Sequence, residues 1–270
     1  MRKLSDFYKS GLSRTKLIRR MSSLTFVEVD NGIYDILGDV DFSCLGLSSL
    51  LEVATLLKEL TGSKVPIRIR KVHGNFDCTI NRLKDLKGAP EWVEGDFDCR
   101  YNQLETLEGA PRYVGGQFDC KYNSLKDLKG APQHVGGSFY CFYNKLASLQ
   151  GAPQYVGGDF ECGGNDLENL IGAPQHVGRD FYCSRNQLVS LEGAPRRVEG
   201  NFVCSYNHLQ TLQGAPEYIG GDFNCMYNSL YALEGAPKYV GGEFICKFNP
   251  KKFTEKEIRK LINVGGEIRT

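Results

Sequence analysis

Cysteine returns every 21 residues in this chain, at Cys78, Cys99, Cys120, Cys141, Cys162, Cys183, Cys204, Cys225 and Cys246, with no insertion in the series. Phenylalanine stands two residues before each one, from Phe76 to Phe244, and asparagine three residues after, from Asn81 to Asn249. Eight Gly-Ala-Pro triplets, Gly88-Ala89-Pro90 through Gly235-Ala236-Pro237, are each followed three residues past the proline by Val, or once by Ile219. The consensus is F-x-C-x-x-N-x-L-x-x-L-x-G-A-P-x-x-V-x-G-x. A unit this short cannot bury a core alone, so the units must stack, each covering its neighbours.

Alternate residues of a strand share a face, so F-x-C predicts one short parallel strand per turn, with Phe and Cys inward and the residue between them outward. The recurring Asn falls where the strand ends, where a buried amide pairs with backbone groups of the adjacent turn. Leu104, Leu107 and their equivalents fill the core behind the strand. Proline fixes φ and lacks a donor, so the return path through Gly-Ala-Pro is expected to be extended or polyproline-like rather than helical.

The repeat occupies 74–249 and leaves two different ends. Residues 1–73 read as an N-terminal cap that includes a degenerate first repeat. Val40-Asp41-Phe42-Ser43-Cys44 reads as the same strand, with Cys44 as a tenth member of the cysteine ladder. Ser49-Leu50-Leu51-Glu52 is a capping box before Leu50, Val53, Ala54, Leu57 and Leu60 at helical spacing, with a stop at Thr61-Gly62. Asp30-Asn31-Gly32 between Leu24–Val29 and Ile33–Leu37 is a hairpin signal. Leu4, Phe7, Tyr8, Leu17, Ile18 and Met21 form a broken amphipathic pattern. Residues 250–270 read as a C-terminal capping helix opened by Thr254-Glu255-Lys256-Glu257, a second capping box.

The 33 Lys+Arg nearly balance the 32 Asp+Glu, and 41% of residues are hydrophobic, which excludes an acidic disordered tail and a histone-like polycation. No segment has the length or apolarity of a signal peptide or a membrane span, so a cytoplasmic location is expected. Charge is uneven: 12 basic and 8 acidic residues in 1–73, 14 and 21 in 74–246, 7 and 3 in 247–270.

Cysteine is the strongest chemical temptation. Each ladder position points inward between Phe and Leu, C-x-x-C metal spacing is absent, and a free Cys behaves as a small hydrophobe, so reduced, buried thiols are expected. His134 and His176 share the column after G-A-P-x with Trp92, Tyr113, Tyr155, Tyr218 and Tyr239, which reads as an aromatic stripe on the convex side. His73 and His208 have no nucleophile beside them. No Walker-type loop or dinucleotide fingerprint is present, and no enzyme, catalytic residue, metal or cofactor is expected.

The pattern resembles the leucine-rich repeat family, whose L-x-x-L-x-L-x-x-N-x-L core maps onto V-x-G-x-F-x-C-x-x-N-x-L, with Val93, Phe97, Cys99, Asn102, Leu104 and Leu107 as one full set. The short period and proline-bearing return are similar to the repeats of secreted bacterial effectors. The wording G-A-P-x-x-V-G-G-x-F-x-C is similar to uncharacterised repeat proteins of tailed bacteriophages. The resemblance implies an α/β-type leucine-rich-repeat solenoid with a parallel β-sheet on the concave face, an extended or polyproline-like convex side, and helical caps at both ends. It also implies that the concave face binds a protein, and for a phage protein it implies a host partner, an antiviral-defence protein among the options, met in the host cytoplasm.

On that face the residues between Phe and Cys run Asp77, Asp98, Asp119, Tyr140, Glu161, Tyr182, Val203, Asn224 and Ile245. Two residues after Cys stand Ile80, Tyr101, Tyr122, Tyr143, Gly164, Arg185, Tyr206, Tyr227 and Phe248. Aromatic area with a polar tip suits a protein interface. The candidate binding residues are therefore Asp77, Asp98, Asp119, Tyr101, Tyr122, Tyr140, Tyr143, Glu161, Tyr182, Arg185, Tyr206 and Tyr227. Gly164, Arg185 and Arg179, which replaces a repeat glycine, mark an irregularity read as a notch with basic edges. The rival reading is a nucleic-acid-associated protein using Arg14, Lys16, Arg19, Arg20, Lys251, Lys252, Lys256, Arg259 and Lys260 as phosphate contacts, against which the acidic middle argues.

Overall fold

The structure, a computed structural model, describes residues 14–270. Each repeat contributes two strands of two residues. One is at the Phe position, as in Phe97–Asp98, and the other at the Val position, as in Trp92–Val93. The Phe strands form one eleven-stranded parallel sheet that runs from Val40–Asp41 to Ile268–Arg269. The Val strands form an eight-stranded sheet, which begins with the hairpin Thr25–Asp30/Ile33–Leu37 and ends at His176–Val177, and a four-stranded sheet from Arg197–Val198 to Asn263–Val264. Residues 74–249 contain no helix.

The second strand goes beyond the extended return expected from proline. It is hidden in the sequence because a three-residue spacer with one or two glycines separates Val from Phe and breaks the alternation. The chain turns a corner there, and a Cβ on Gly136 would run into the carbonyl oxygen of Gly115 one turn earlier. At the opposite corner Ala110 N donates to Leu107 O, 2.9 Å, with Gly109 at φ 89°, the geometry of a type II turn that requires a positive φ at its third residue. The Pro that follows continues an extended path.

Inside, the Val, Phe, Cys and two Leu columns are buried, and the Phe rings follow one another from Phe76–Phe97, stacked at 5.2 Å, to Phe223–Phe244, tilted at 5.3 Å. The asparagines do what their position requires. Asn144 Nδ2 donates to Cys120 O and Cys141 O, each at 3.1 Å, while Leu125 N donates to Asn144 Oδ1 at 3.0 Å. A second polar ladder runs three residues before Cys, where a short Asn, Asp or Ser side chain accepts the backbone N–H of the same position one turn later. Examples are Gln117 N to Asp96 Oδ1, 2.7 Å, and Asp222 N to Asn201 Oδ1, 2.7 Å.

The first turn corrects the placement of Cys44. Val40 pairs with Phe76, so Val40 occupies the Phe column and Phe42 the Cys column, fully buried, with its ring 5.8 Å from that of Phe76. The motif is therefore displaced by two residues, which keeps inward parity but puts Cys44 past the strand end, exposed at φ 55°. Nine thiols, not ten, line the core. The hairpin forms at Asp30-Asn31-Gly32. The cap helix Leu51–Thr61 stops at Gly62 in the left-handed region. Its capping box is one-sided: Glu52 Oε1 accepts from Ser48 N and Ser49 N, whereas Ser49 Oγ accepts from Leu51 N. Residues 14–21 are helical with Leu17 and Met21 buried; Leu4, Phe7 and Tyr8 lie outside the described residues.

At the other end Thr254 forms the full capping box with Glu257, and the helix Glu255–Leu261 buries Ile258 over the last complete turn. Beyond it Asn263–Val264 and Ile268–Arg269 add one more rung to each sheet. Val264-Gly265-Gly266-Glu267-Ile268 spells the repeat again, 24 residues after Val240, and the three additional residues accommodate the helix. Among the described residues no helix is long and apolar enough to cross a membrane.

Candidate protein-binding face

The outward side of the eleven-stranded sheet carries two columns, the residue before each Cys and the residue after it, because positions two apart share a face. In the first, Asp77, Asp98, Tyr140, Glu161, Tyr182, Val203, Asn224 and Ile245 are half-buried and Asp119 is buried. The second is Thr79, Arg100, Lys121, Phe142, Gly163, Ser184, Ser205, Met226 and Lys247. This second column was not among the candidate residues, although strict alternation from Asp98 to Arg100 signals it.

The two columns interlock. Arg100 Nε sits 3.0 Å from Asp98 Oδ2, and Lys121 Nζ 2.9 Å from Asp119 Oδ2. The Lys121 ammonium also lies 5.5 Å from the Tyr140 ring and 5.0 Å from the Phe142 ring, within reach of the ring quadrupole. Phe142 meets Tyr122, Tyr140 and Tyr143 edge to face at 5.6–6.3 Å, which makes it the centre of an aromatic cluster. Burial pushes the Asp98 carboxyl up to about 6, helped by its neighbours Asp119 and Asp77 and opposed by the Arg100 backbone and guanidinium. Burial likewise raises Glu161. The Tyr182 hydroxyl donates to Asp180 Oδ2 at 2.5 Å, and its pKa is raised, first by burial and then by this bond.

Tyr101, Tyr122, Tyr143, Arg185, Tyr206 and Tyr227 stand elsewhere, past the strand ends on the rim of the sheet, with φ between 51° and 58°. A left-handed conformation costs a non-glycine residue about 1–2 kcal/mol. The rings offset part of this by stacking: Tyr101–Tyr122 at 4.7 Å, Tyr122–Tyr143 at 5.1 Å, Tyr206–Tyr227 at 4.4 Å, with the Arg185 guanidinium over Tyr206 at 5.2 Å. Gly164 interrupts the stack because the Tyr143 ring lies against it, and a Cβ there would come within 2.7 Å of that ring. Arg179 precedes the strand Phe181–Tyr182 and Arg185 follows it, so the two flank the sheet at opposite sides instead of edging one notch.

The outward residues of the Val strands form a separate ladder. Trp92 stacks on Tyr113 at 3.9 Å, Tyr113 on His134, His134 on Tyr155 and Tyr155 on His176, and the Arg197 guanidinium lies 3.7 Å over Tyr218. His134 and His176 are thus members of a stacked stripe.

No protein-family model matches the chain, and no curated protein matches it. Among solved structures, YopM from Yersinia enterocolitica WA-314 is similar at 16% sequence identity, over 78% of this chain and 69% of that one, with a TM-score of 0.38. The fold rests on the chain's own geometry: one unit of 21 residues, an inward Phe-Cys-Leu core, an asparagine ladder and in-register parallel strands together make it a solenoid of the leucine-rich-repeat type.

Proposed function

We propose that the protein is a non-enzymatic binding scaffold whose outward eleven-stranded face, with the tyrosine rim beside it, engages another protein. The observation that carries this is the continuity of that face. Charge at one end (half-buried Asp77 and Asp98, buried Asp119) grades into aromatic and apolar side chains (Tyr140, Phe142, Tyr182, Val203, Ile245) along a single rigid ladder. Charged columns of this kind steer association, while partly buried aromatics hold the complex. On the phage-like repeat wording we further propose a partner in a host cell, with antiviral-defence proteins as the first class to examine and the host cytoplasm as the compartment.

Several of the basic terminal residues already have partners. Arg14 pairs with Glu59, Arg20 with Asp41 and Arg259 with Glu255, which lowers their availability to phosphates and disfavours the nucleic-acid reading. The test is affinity capture from host lysate with the wild type, a Tyr140→Ala/Tyr182→Ala variant, and a charge reversal at Arg19, Arg20, Lys251 and Lys252. The double tyrosine variant is expected to weaken capture by about 1–4 kcal/mol with the solenoid still folded. Capture that survives the tyrosine variant and is lost on charge reversal would move the basic ends to first place.

A further inference from the structure

Glu161 is the one candidate acid of this face for which the structure supplies neither a hydrogen-bond donor nor a cation at ion-pair distance. Asp98 and Asp119 are paired with Arg100 and Lys121, and Asp77 accepts from Thr79 N at 2.8 Å. Lys121 acts on Glu161 only through space, while Asp119 and Asp159 add repulsion. The carboxylate is nonetheless half-buried. A carboxylate held partly away from water without compensation is normally avoided, because desolvation penalises the charge unless something pairs with it.

Its surroundings have a shape. Glu161 is in register with Tyr140 on one side and Tyr182 on the other. The two tyrosines are two rungs apart, about 9.6 Å at the backbone, with the shorter glutamate between them. Gly163 and Gly164 follow on the same turn, so no side chain rises beside the carboxylate where the other turns carry Lys121 and Phe142 or Ser184 and Arg185. Tyr182 is fixed by its bond to Asp180. The space is therefore a recess with an anionic floor, aromatic neighbours, and further negative charge from Asp159. In two other columns of the solenoid, the Val-strand ladder and the rim, a guanidinium takes a rung beside a tyrosine, Arg197 on Tyr218 at 3.7 Å and Arg185 on Tyr206 at 5.2 Å, so the rung spacing accepts that planar cation.

We propose that the recess over Glu161, between Tyr140 and Tyr182, receives an arginine side chain of the partner protein, the guanidinium pairing with the carboxylate and resting against the tyrosines. This rests on the outward face being the binding face and names the group that the partner brings to its centre. Charge complementarity selects a cation, and planarity selects arginine over lysine.

The probe is N-acetyl-arginine-N-methylamide, titrated into the isotopically labelled full chain and followed by amide chemical shifts, with the citrulline analogue as the neutral isostere. Saturable shifts centred on residues 139–142, 160–164 and 181–184 are expected with the arginine probe, and at least tenfold weaker binding of the citrulline probe. Glu161→Gln is expected to weaken the arginine probe about tenfold, and Tyr182→Phe, which frees the ring from Asp180, several-fold. Equal binding of citrulline, unchanged binding by the Glu161→Gln variant, or no saturable shift on these residues would overturn the proposal. The broader reading is measured separately by the capture experiment, so tyrosine-dependent capture by a face indifferent to Glu161 would refute the arginine recess while leaving the binding face in place.

Discussion

Asparagine 144 sits in the middle of the array, and its removal isolates the contribution of one rung of the amide ladder. The side chain satisfies three backbone groups: the carbonyls of Cys120 and Cys141 through Nδ2, and the N–H of Leu125 through Oδ1. Two of the three belong to the preceding turn, so the amide joins rungs as well as closing its own. Asn144→Ala leaves the Leu125 N–H unpaired and takes one of two amide donors from each carbonyl, Cys120 O keeping Asn123 Nδ2 and Cys141 O keeping Asn165 Nδ2; at about 0.5–1.5 kcal/mol per lost bond, with water recovering part, the total is about 1–3 kcal/mol. Asn186, which is 4% exposed and makes the equivalent bonds to Cys162 O and Cys183 O, is expected to cost more on the same substitution because water cannot reach its partners. Urea unfolding followed by far-ultraviolet dichroism gives the midpoint, and hydrogen exchange at the Leu125 amide reports the rung itself. Midpoints unchanged in both variants, with Leu125 protected as in the wild type, would refute the claim that the amides hold the turns together.

Alkylation of the native protein at mildly alkaline pH should modify Cys44 alone, since burial raises the ladder thiols; intact-mass spectrometry showing several rapid additions, or a disulfide under non-reducing conditions, would contradict it. Asp98 holds its proton more tightly folded than unfolded, so stability from this group falls as pH rises through the window from about 4 to 6. With a side chain 22% exposed, wild type should gain up to about 3 kcal/mol on Asp98→Asn between pH 7 and pH 4, and a pH-independent difference would refute the assignment. Gly136→Ala should be far more damaging than an exposed substitution such as Gln150→Ala, costing about 3 kcal/mol or more through its collision with the Gly115 carbonyl, and a wild-type denaturation midpoint for it would mean that the corners are not close-packed.

The parts of the fold that could be read from the sequence are those in which one residue type alone fits a position. The Phe and Cys columns must be inward and the Asn must reach three backbone groups, so their identity never varies within 74–249. The second polar ladder is not legible because Asp96, Ser138 and Asn201 keep only a chemical class, a short acceptor, and the identity of the residue drifts. The Val strand is not legible because two residues cannot show an alternation. Cys44 misled because the match F-x-C is local, whereas pairing is set by Ile36 and Val40, whose inward positions shift the frame by two. At the candidate face the acidic and tyrosine residues before each Cys were legible from parity. The same parity places Phe142 on this face, and no linear pattern distinguishes a paired carboxylate such as Asp119 from the unpaired Glu161.

Each strand pairing from Phe76 to Phe244 is made between positions a constant 21 residues apart, and the bonds of the asparagine ladder recur from unit to unit at the same separations, 24, 19 and 3 residues. A chain shortened by one whole unit, cut at equivalent points, therefore meets the same partners across the splice that it met before. Length in this molecule is a quantity that recombination can alter in steps of about 4.8 Å without redesigning any contact, provided the two capped ends are kept. What such a step does change is distance along the face: the paired acids near Asp98 and the apolar patch near Ile245 would move one rung closer, so the reach between two points on a partner is set by counting units.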